Sequence, residues 1–185
     1  PVPIDAVIVS HLHPDHFDEA AFGVVPRHLP VVCQSGDGEK LAAAGFDATE
    51  LSAPLDHRGV EIVPVVGSHG RGAVLERMGS VIGLVFRAPG EPTLYWAGDT
   101  VLTADVRDVI AAVEPDVVVT HSGGASAAGT TIIMDIADTL DVARLAPDAT
   151  VVAVHLEAVA HAPVTRAALR AAADDAGIAS SRLRI

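Results

Sequence analysis

Apolar residues along this chain fall in short runs rich in valine and isoleucine. Glycine, proline or charge separates these runs, and they alternate with stretches whose apolar positions recur at helical spacing. The segment Ile4-Asp5-Ala6-Val7-Ile8-Val9-Ser10 reads as a strand. A short helix is predicted over 15–21, a strand over 31–34, and a helix capped by Ser35 that runs through Leu41 and stops at Gly45. Strands are predicted over 47–51, 60–66, 81–87 and 93–97, several of them joined by Gly or Pro turns. Consecutive strands tend to be neighbours, so this stretch should build the second sheet of the fold. From Thr103 the register changes. Thr103 caps a helix reaching Val113, Pro115 breaks it, and 116–120 returns as a strand. A helix near 132–145, a strand over 150–155 and a helix near 164–175 complete a βαβα run. The pattern is that of a layered α/β architecture in a single domain spanning 1–185, with chemistry expected on loops at strand ends.

The first such loop concentrates that chemistry. His11-Leu12-His13-Pro14-Asp15-His16 follows the first strand directly. Residues two apart in an extended segment point to the same side, so His11 and His13 can close on one cation. Asp15 and His16, beyond the bend that Pro14 imposes, would face a second. Imidazole with carboxylate suits zinc, manganese or iron, and the absence of cysteine here argues against a purely structural zinc knot.

The same spacing resembles the H-x-H-x-D-H signature of the metallo-β-lactamase-fold hydrolases, and three further stretches match that family. Val66-Gly67-Ser68-His69 is similar to its third-histidine segment, Ala97-Gly98-Asp99-Thr100 to its G-D-T motif, and Val151-Val152-Ala153-Val154-His155 to its last ligand-bearing strand. The resemblance covers about 4–170 and looks closer to the phosphodiesterase and ascorbate-phosphate-lactonase-like branches than to the antibiotic-hydrolysing enzymes. It implies a four-layer αβ/βα sandwich. Only ten residues precede the metal motif, where family members place several strands, so the N-terminal part of that sandwich is expected to be missing from this sequence. An apolar face beside 4–9 would then be uncovered and would favour a homo-oligomer.

The resemblance also implies a ligand set. His11, His13 and His69 would hold the first of two divalent cations, Asp15, His16 and His155 the second, with Asp99 shared between them. Such a pair holds a water as hydroxide and polarises a carbonyl or phosphoryl oxygen, so no serine or cysteine nucleophile is needed. Asp15 and Asp99 are the catalytic candidates at the water. His161 is the candidate leaving-group acid. His121, which ends a strand and opens a glycine-rich loop, is expected as a substrate-binding group or as support for a ligand. Arg71 and Arg77, in the loop after His69, could pair with one anionic group of the substrate. Glu157 is a candidate for orienting His155, although a surface carboxylate is the plainer reading. His28 and His57 are read as solvated.

Composition narrows the partners. The 185 residues are enough for one real core, half of them are hydrophobic, and the apolar runs are too short for a membrane span. The formal charge of −12, with 24 acidic against 12 basic residues and 3% aromatics, disfavours nucleic acid and favours a small-molecule substrate. No membrane partner is expected, and a cytoplasmic location is the default. Cys33, the lone cysteine, reads as a small core residue. The loop 122–131 lacks the lysine of a nucleotide cradle and is expected to line the substrate cleft, with Met134 packing as core. The function expected is metal-dependent hydrolysis of a small ester-like bond, in a lactone or a phosphodiester. An iron-dependent oxidoreductase of the same fold and a non-catalytic metal-binding module are the alternatives.

Overall fold

A computed structural model describes residues 3–157 and 159–185. The chain divides into two compact units, 1–55 and 56–185.

In the first unit, β1 (Val7–Val9), α1 (Glu19–Val24), β2 (Pro30–Gln34), α2 (Gly38–Ala43) and β3 (Asp47–Leu51) follow in chain order. The sheet is parallel in the order β1-β2-β3, with Val7 opposite Val31 and Val31 opposite Ala48. The strand 47–51 therefore pairs with 31–34 and does not join the second sheet, contrary to expectation. A parallel partner is reached by a crossover, and α2 supplies one. Both helices begin later than the sequence suggested. The Phe17 and His16 amides fold back onto the His13 carbonyl, which keeps 14–17 a turn, and the Asp18 side chain then caps α1 through the Ala21 amide at 2.8 Å. Gly36, in the left-handed region, holds Ser35 in a turn, so α2 starts at Gly38, whose amide donates to Glu50 Oε1. Val9, Phe17, Val31, Cys33, Leu41 and Phe46 form the unit's core. The Arg27 guanidinium lies 3.8 Å over the Phe46 ring.

The second unit contains β4 (Leu55–His57), β5 (Val60–Val66), α3 (Val74–Met78), β6 (Ile82–Arg87), β7 (Leu94–Trp96), α4 (Ala104–Val113) and β8 (Val117–His121). It continues through β9 (Ser126–Ala127), β10 (Thr130–Thr131), α5 (Ile136–Leu145), β11 (Thr150–Val154), α6 (Arg166–Asp175) and β12 (Leu183–Arg184). Its main sheet runs β12-β11-β8-β7-β6-β5-β4. The pairs β7–β8, β8–β11 and β11–β12 are parallel, whereas β5–β6 and β6–β7 are antiparallel. Two antiparallel steps restore direction, so β5, β7, β8 and β11 all run the same way and end at one edge of the sheet. Thr103, Asp135 and Thr165 each cap a following helix through a side-chain oxygen. Helix α5 begins at Ile136 rather than near 132, because Ile132 and Met134 are tied by backbone bonds to Ala125 and Gly124. The strands β4 and β12, the helix α3 and the β9–β10 hairpin were not expected from the sequence.

The core of this unit gathers buried Val85, Tyr95, Val118, Val151, Leu169 and Leu183, and fully burying a side chain of this size contributes roughly 1.5–3 kcal/mol. Met134 is part of it, as predicted. A smaller cluster of Val74, Ala125, Ile132, Ile133 and Ala162 lies beneath the hairpin. Among the described residues no helix is long and apolar enough to cross a membrane.

Candidate metal centre

The common strand direction in the second unit decides what meets at its edge. His69 follows β5, Asp99 follows β7, His121 is the last residue of β8, and His155 follows β11. All four are carried to the carboxyl ends of codirectional strands, where open α/β sheets place their ligands. Asp99 is the hub. Its Oδ1 lies 2.6 Å from His121 Nδ1 and 4.0 Å from His155 Nε2, and its Oδ2 lies 3.5 Å from His69 Nε2. One donor atom each of Asp99, His121 and His155 falls within 4.8 Å of the others. Asp99, His69 and His121 are buried.

Several local devices hold this geometry. The ring Nδ1–H of His69 donates to the Ile132 carbonyl at 2.8 Å, which fixes the tautomer and leaves Nε2 facing Asp99. Gly98 has φ +67, and a Cβ there would meet the Trp96 ring and the Ile82 carbonyl. The turn that presents Asp99 therefore needs a residue without a side chain. Thr100 Oγ1 accepts from the Ser68 amide at 2.8 Å and donates to the Val101 carbonyl, while the Val101 amide returns a bond to Ser68 O. The loops of His69 and Asp99 are thus laced together. His155 sits at φ +59, a left-handed position where histidine is among the more tolerated residues. Trp96 packs edge-on against the His121 ring with centroids 5.1 Å apart.

The first unit gathers its own set. His11 Nε2 and His13 Nδ1 are 3.0 Å apart, the His11 and His16 ring centroids 4.2 Å apart, and His16 Nε2 lies 3.8 Å from Asp15 Oδ2. Ser10 Oγ bonds His11 Nδ1 at 3.0 Å, so this ring too is anchored on the nitrogen away from the cluster. Ring nitrogens at such spacing could converge on a shared cation. Imidazoles with a carboxylate form a transition-metal set rather than the all-oxygen set that magnesium or calcium takes, so the residues fit the expected metal.

Residues 1–156 match the family described as the Beta-lactamase superfamily domain. The chain belongs to that family. It is similar to the UPF0173 protein YddR of Bacillus subtilis (strain 168), 38% identical over 184 residues that take in 97% of this chain and 72% of YddR. Among solved structures it is similar to a possible metal-dependent hydrolase from Veillonella parvula DSM 2008, with a TM-score of 0.93 and 32% identity over 98% of this chain and 73% of that one. The isothiocyanate hydrolase from Delia radicum gut bacteria gives a TM-score of 0.91 and 33% identity over 99% and 77% of the two chains. This beta-lactamase superfamily member has the metallo-β-lactamase fold and sits in a family of metal-dependent hydrolases.

The other candidate residues lie in varied surroundings. His121, expected as a substrate-binding group or as support for a ligand, contacts Asp99 and lies in the same donor cluster as His155. His161, the expected leaving-group acid, is exposed in the turn before α6 and is not in the Asp99 cluster among the described residues. Arg71, expected to meet substrate, instead donates from Nη2 to the Leu102 carbonyl at 2.9 Å and faces Asp138. Arg77 is exposed on α3. Glu157 pairs with Arg166 rather than orienting His155. His28 is exposed as read, whereas His57 lies half-buried in β4. Sequence reasoning missed the buried hydroxyl chain beside His121. In it Thr139 Oγ1 donates to Ser122 Oγ at 2.8 Å, and Ser122 Oγ bonds Thr120 Oγ1 at 2.9 Å.

Proposed function

We propose that this chain holds two divalent cations, zinc first and manganese or iron as alternatives, and hydrolyses a small ester-like bond in a lactone or a phosphodiester. The observation that supports the reading best is the convergence of His69, His121 and His155 on buried Asp99, with the His69 ring locked by the Ile132 carbonyl. The proposed ligands are those the motif order implies, His11, His13 and His69 for one cation and Asp15, His16 and His155 for the other with Asp99 common to both; the 2.6 Å contact of His121 with Asp99 supports adding it as a further candidate. When bound, such metals lower the pKa of water toward neutrality and polarise a carbonyl or phosphoryl oxygen. The chain's own residues do the rest. Asp99 and Asp15 accept hydrogen bonds and so orient an attacking water, and the anchored rings of His69 and His11 present their far nitrogens without reorganisation.

A second substrate class is favoured by one observation, the 33% identity and 0.91 TM-score shared with an isothiocyanate hydrolase. An isothiocyanate is a small neutral electrophile attacked at carbon by water, so it asks the same chemistry of the site as a lactone carbonyl.

The test combines elemental analysis of the dialysed protein with turnover of bis(4-nitrophenyl) phosphate, a simple γ-lactone and allyl isothiocyanate. Stoichiometric zinc or manganese with chelator-sensitive hydrolysis of one substrate supports the reading. Full metal with no hydrolysis of any of them would favour the non-catalytic metal-binding module, and iron with oxygen uptake would favour the oxidoreductase.

A further inference from the structure

The loop that follows Asp99 is gripped at a single residue, on the two peptide groups that flank its Cα. The Leu102 amide donates to Asp138 Oδ2 at 3.0 Å, and the Leu102 carbonyl accepts from Arg71 Nη2 at 2.9 Å. Arg71 and Asp138 face each other at 3.9 Å. Leu102 itself is buried. Each partner comes from a different part of the second unit, Arg71 from two residues beyond His69 and Asp138 from the first turn of α5, where its own amide is capped by Asp135. On the N-terminal side of Leu102, the Val101 amide and the Thr100 hydroxyl carry the bonds to Ser68 described above.

We infer that Arg71 and Asp138 form a brace which, by holding both polar groups of Leu102, positions the His69 and Asp99 loops for the metal. This inference rests on the metal-dependent reading and assigns its upkeep to two residues that touch no ligand. Arg71 suits the task because a guanidinium offers several donors in a fixed plane, so one group can reach a carbonyl while facing a carboxylate. Asp138 suits it because its carboxylate accepts from the Leu102 amide while facing Arg71; burial raises its carboxyl, and the Leu102 amide is the largest influence opposing that rise. One turn further along α5, Asp141 pairs with Arg107 of α4 at 3.1 Å. Arg71 is a positioning residue on this account, not a substrate anchor.

The test uses cobalt(II) as probe, with affinity read by chelator competition and ligand geometry by the visible spectrum of the loaded protein. Supporting groups around metal ligands are typically worth about 10- to 100-fold in affinity, and these act one step further out. R71A and D138A should therefore each weaken cobalt binding by about tenfold and alter the spectrum. The double variant should be no weaker than the worse single, because both act through one residue. D138N, whose amide oxygen still accepts from Leu102, should stay near wild type. The Michaelis constants of an anionic and a neutral substrate should move alike in R71A, whereas a substrate anchor would raise only the first.

Alanine variants that bind cobalt like wild type, or losses that add in the double variant, would overturn the brace. Amide exchange judges it apart from metal, since in the metal-free chain the Leu102 amide should exchange at least about tenfold faster in D138A. Unchanged exchange overturns the brace even if the wild type takes up no cobalt, which by itself would sink only the metal-dependent reading. Arg71 is about half exposed, so R71A carries the test should D138A fail to fold.

Discussion

Gly123 shows how a residue that binds nothing can set the metal centre. It follows β8 and His121 by two residues, and a Cβ built on it would lie 2.4 Å from the His155 carbonyl oxygen and 2.9 Å from Ala162 Cβ. Real Cβ atoms do not approach closer than 3.0 Å, so in Gly123→Ala the His155 carbonyl must retreat by about 0.6 Å. The Val164 amide, which donates to Gly123 O at 3.0 Å, resists a compensating shift of Gly123 itself. Overpacking of this kind costs about 1–3 kcal/mol. At roughly 2–4 °C per kcal/mol for a chain of this length, the melting temperature should fall by roughly 2–12 °C. Functional constellations tolerate displacements of only about 0.5 Å, so metal affinity should fall by about tenfold or more as His155 leaves its position. Calorimetry of the metal-free protein and zinc competition titration read the two effects separately. Gly23→Ala is the control, because Gly23 lies in α1 with nothing within 4 Å of its Cβ position and should stabilise by about 0.5–1 kcal/mol. A Gly123→Ala variant with wild-type melting temperature and wild-type zinc affinity would refute the reasoning.

Asp99→Asn should deplete bound metal more deeply than His16→Ala, since a carboxylate surrounded by His69, His121 and His155 is the hub of the set; equal, full occupancy in the Asp99 variant on elemental analysis would deny it that place. Two carboxylates on α5 should shift stability with pH in opposite senses. Asp141 is held low chiefly by the Arg107 hydrogen bond, which outweighs the opposing effect of burial, with Arg144 adding to it, so its small, exposed contribution is present above the ordinary carboxylate range and fades as pH falls through the lowered value. Asp138 is raised by burial, so wild type should gain stability over Asp138→Asn as pH falls from neutral through that raised value, which urea titrations at several pH values would detect. The Cys33 thiol, pushed up to about 11 by burial and then by Glu50 and Asp37, should resist a thiol-directed disulfide reagent at pH 8 in the folded protein and react at once in denaturant; fast native reaction would contradict its place in the core. Activity on small substrates should lack the steep salt dependence of a polyanion binder, given 24 acidic against 12 basic residues, and RNA cleavage that collapses with salt would argue for a nuclease.

What could be read in the sequence follows from the range of the forces involved. Thr103 and the helix ending at Val113 were legible because a side-chain cap and helical periodicity are both local, and the strand 47–51 was placed to the residue for the same reason. Its partner was not legible. Nothing local says that 47–51 pairs with 31–34 rather than with the strands that follow. The start of α5 was missed because bonds from Ile132 and Met134 to the 124–125 segment override the helical preference of 132–134. The β9–β10 hairpin turns on Ala128 and Gly129, both at positive φ, and alanine gives no signal of such a turn. In the candidate site, the spacing of His11, His13, Asp15 and His16 in one short segment is local and could be read directly, and the motif resemblance nominated His69, Asp99 and His155. The part played by His121 depends on β8 lying beside β7, a fact of topology alone.

The same distinction bears on what holds the metal centre together. The candidate ligands of the second unit stand at the ends of codirectional strands, but strand direction only brings them to one edge. Their final placing comes from backbone groups that carry no chemistry: the Ile132 carbonyl on His69, the Ser68 amide on Thr100, the Leu102 backbone between Arg71 and Asp138, and the bare Cα atoms of Gly98 and Gly123. Each fixes a ring or a turn before any cation arrives, so the cost of ordering is met in folding rather than in binding. Affinity for metal is then a property of this supporting layer as much as of the ligands. Substitutions that leave every histidine and aspartate of the motif in place can move it as far as the loss of one of them.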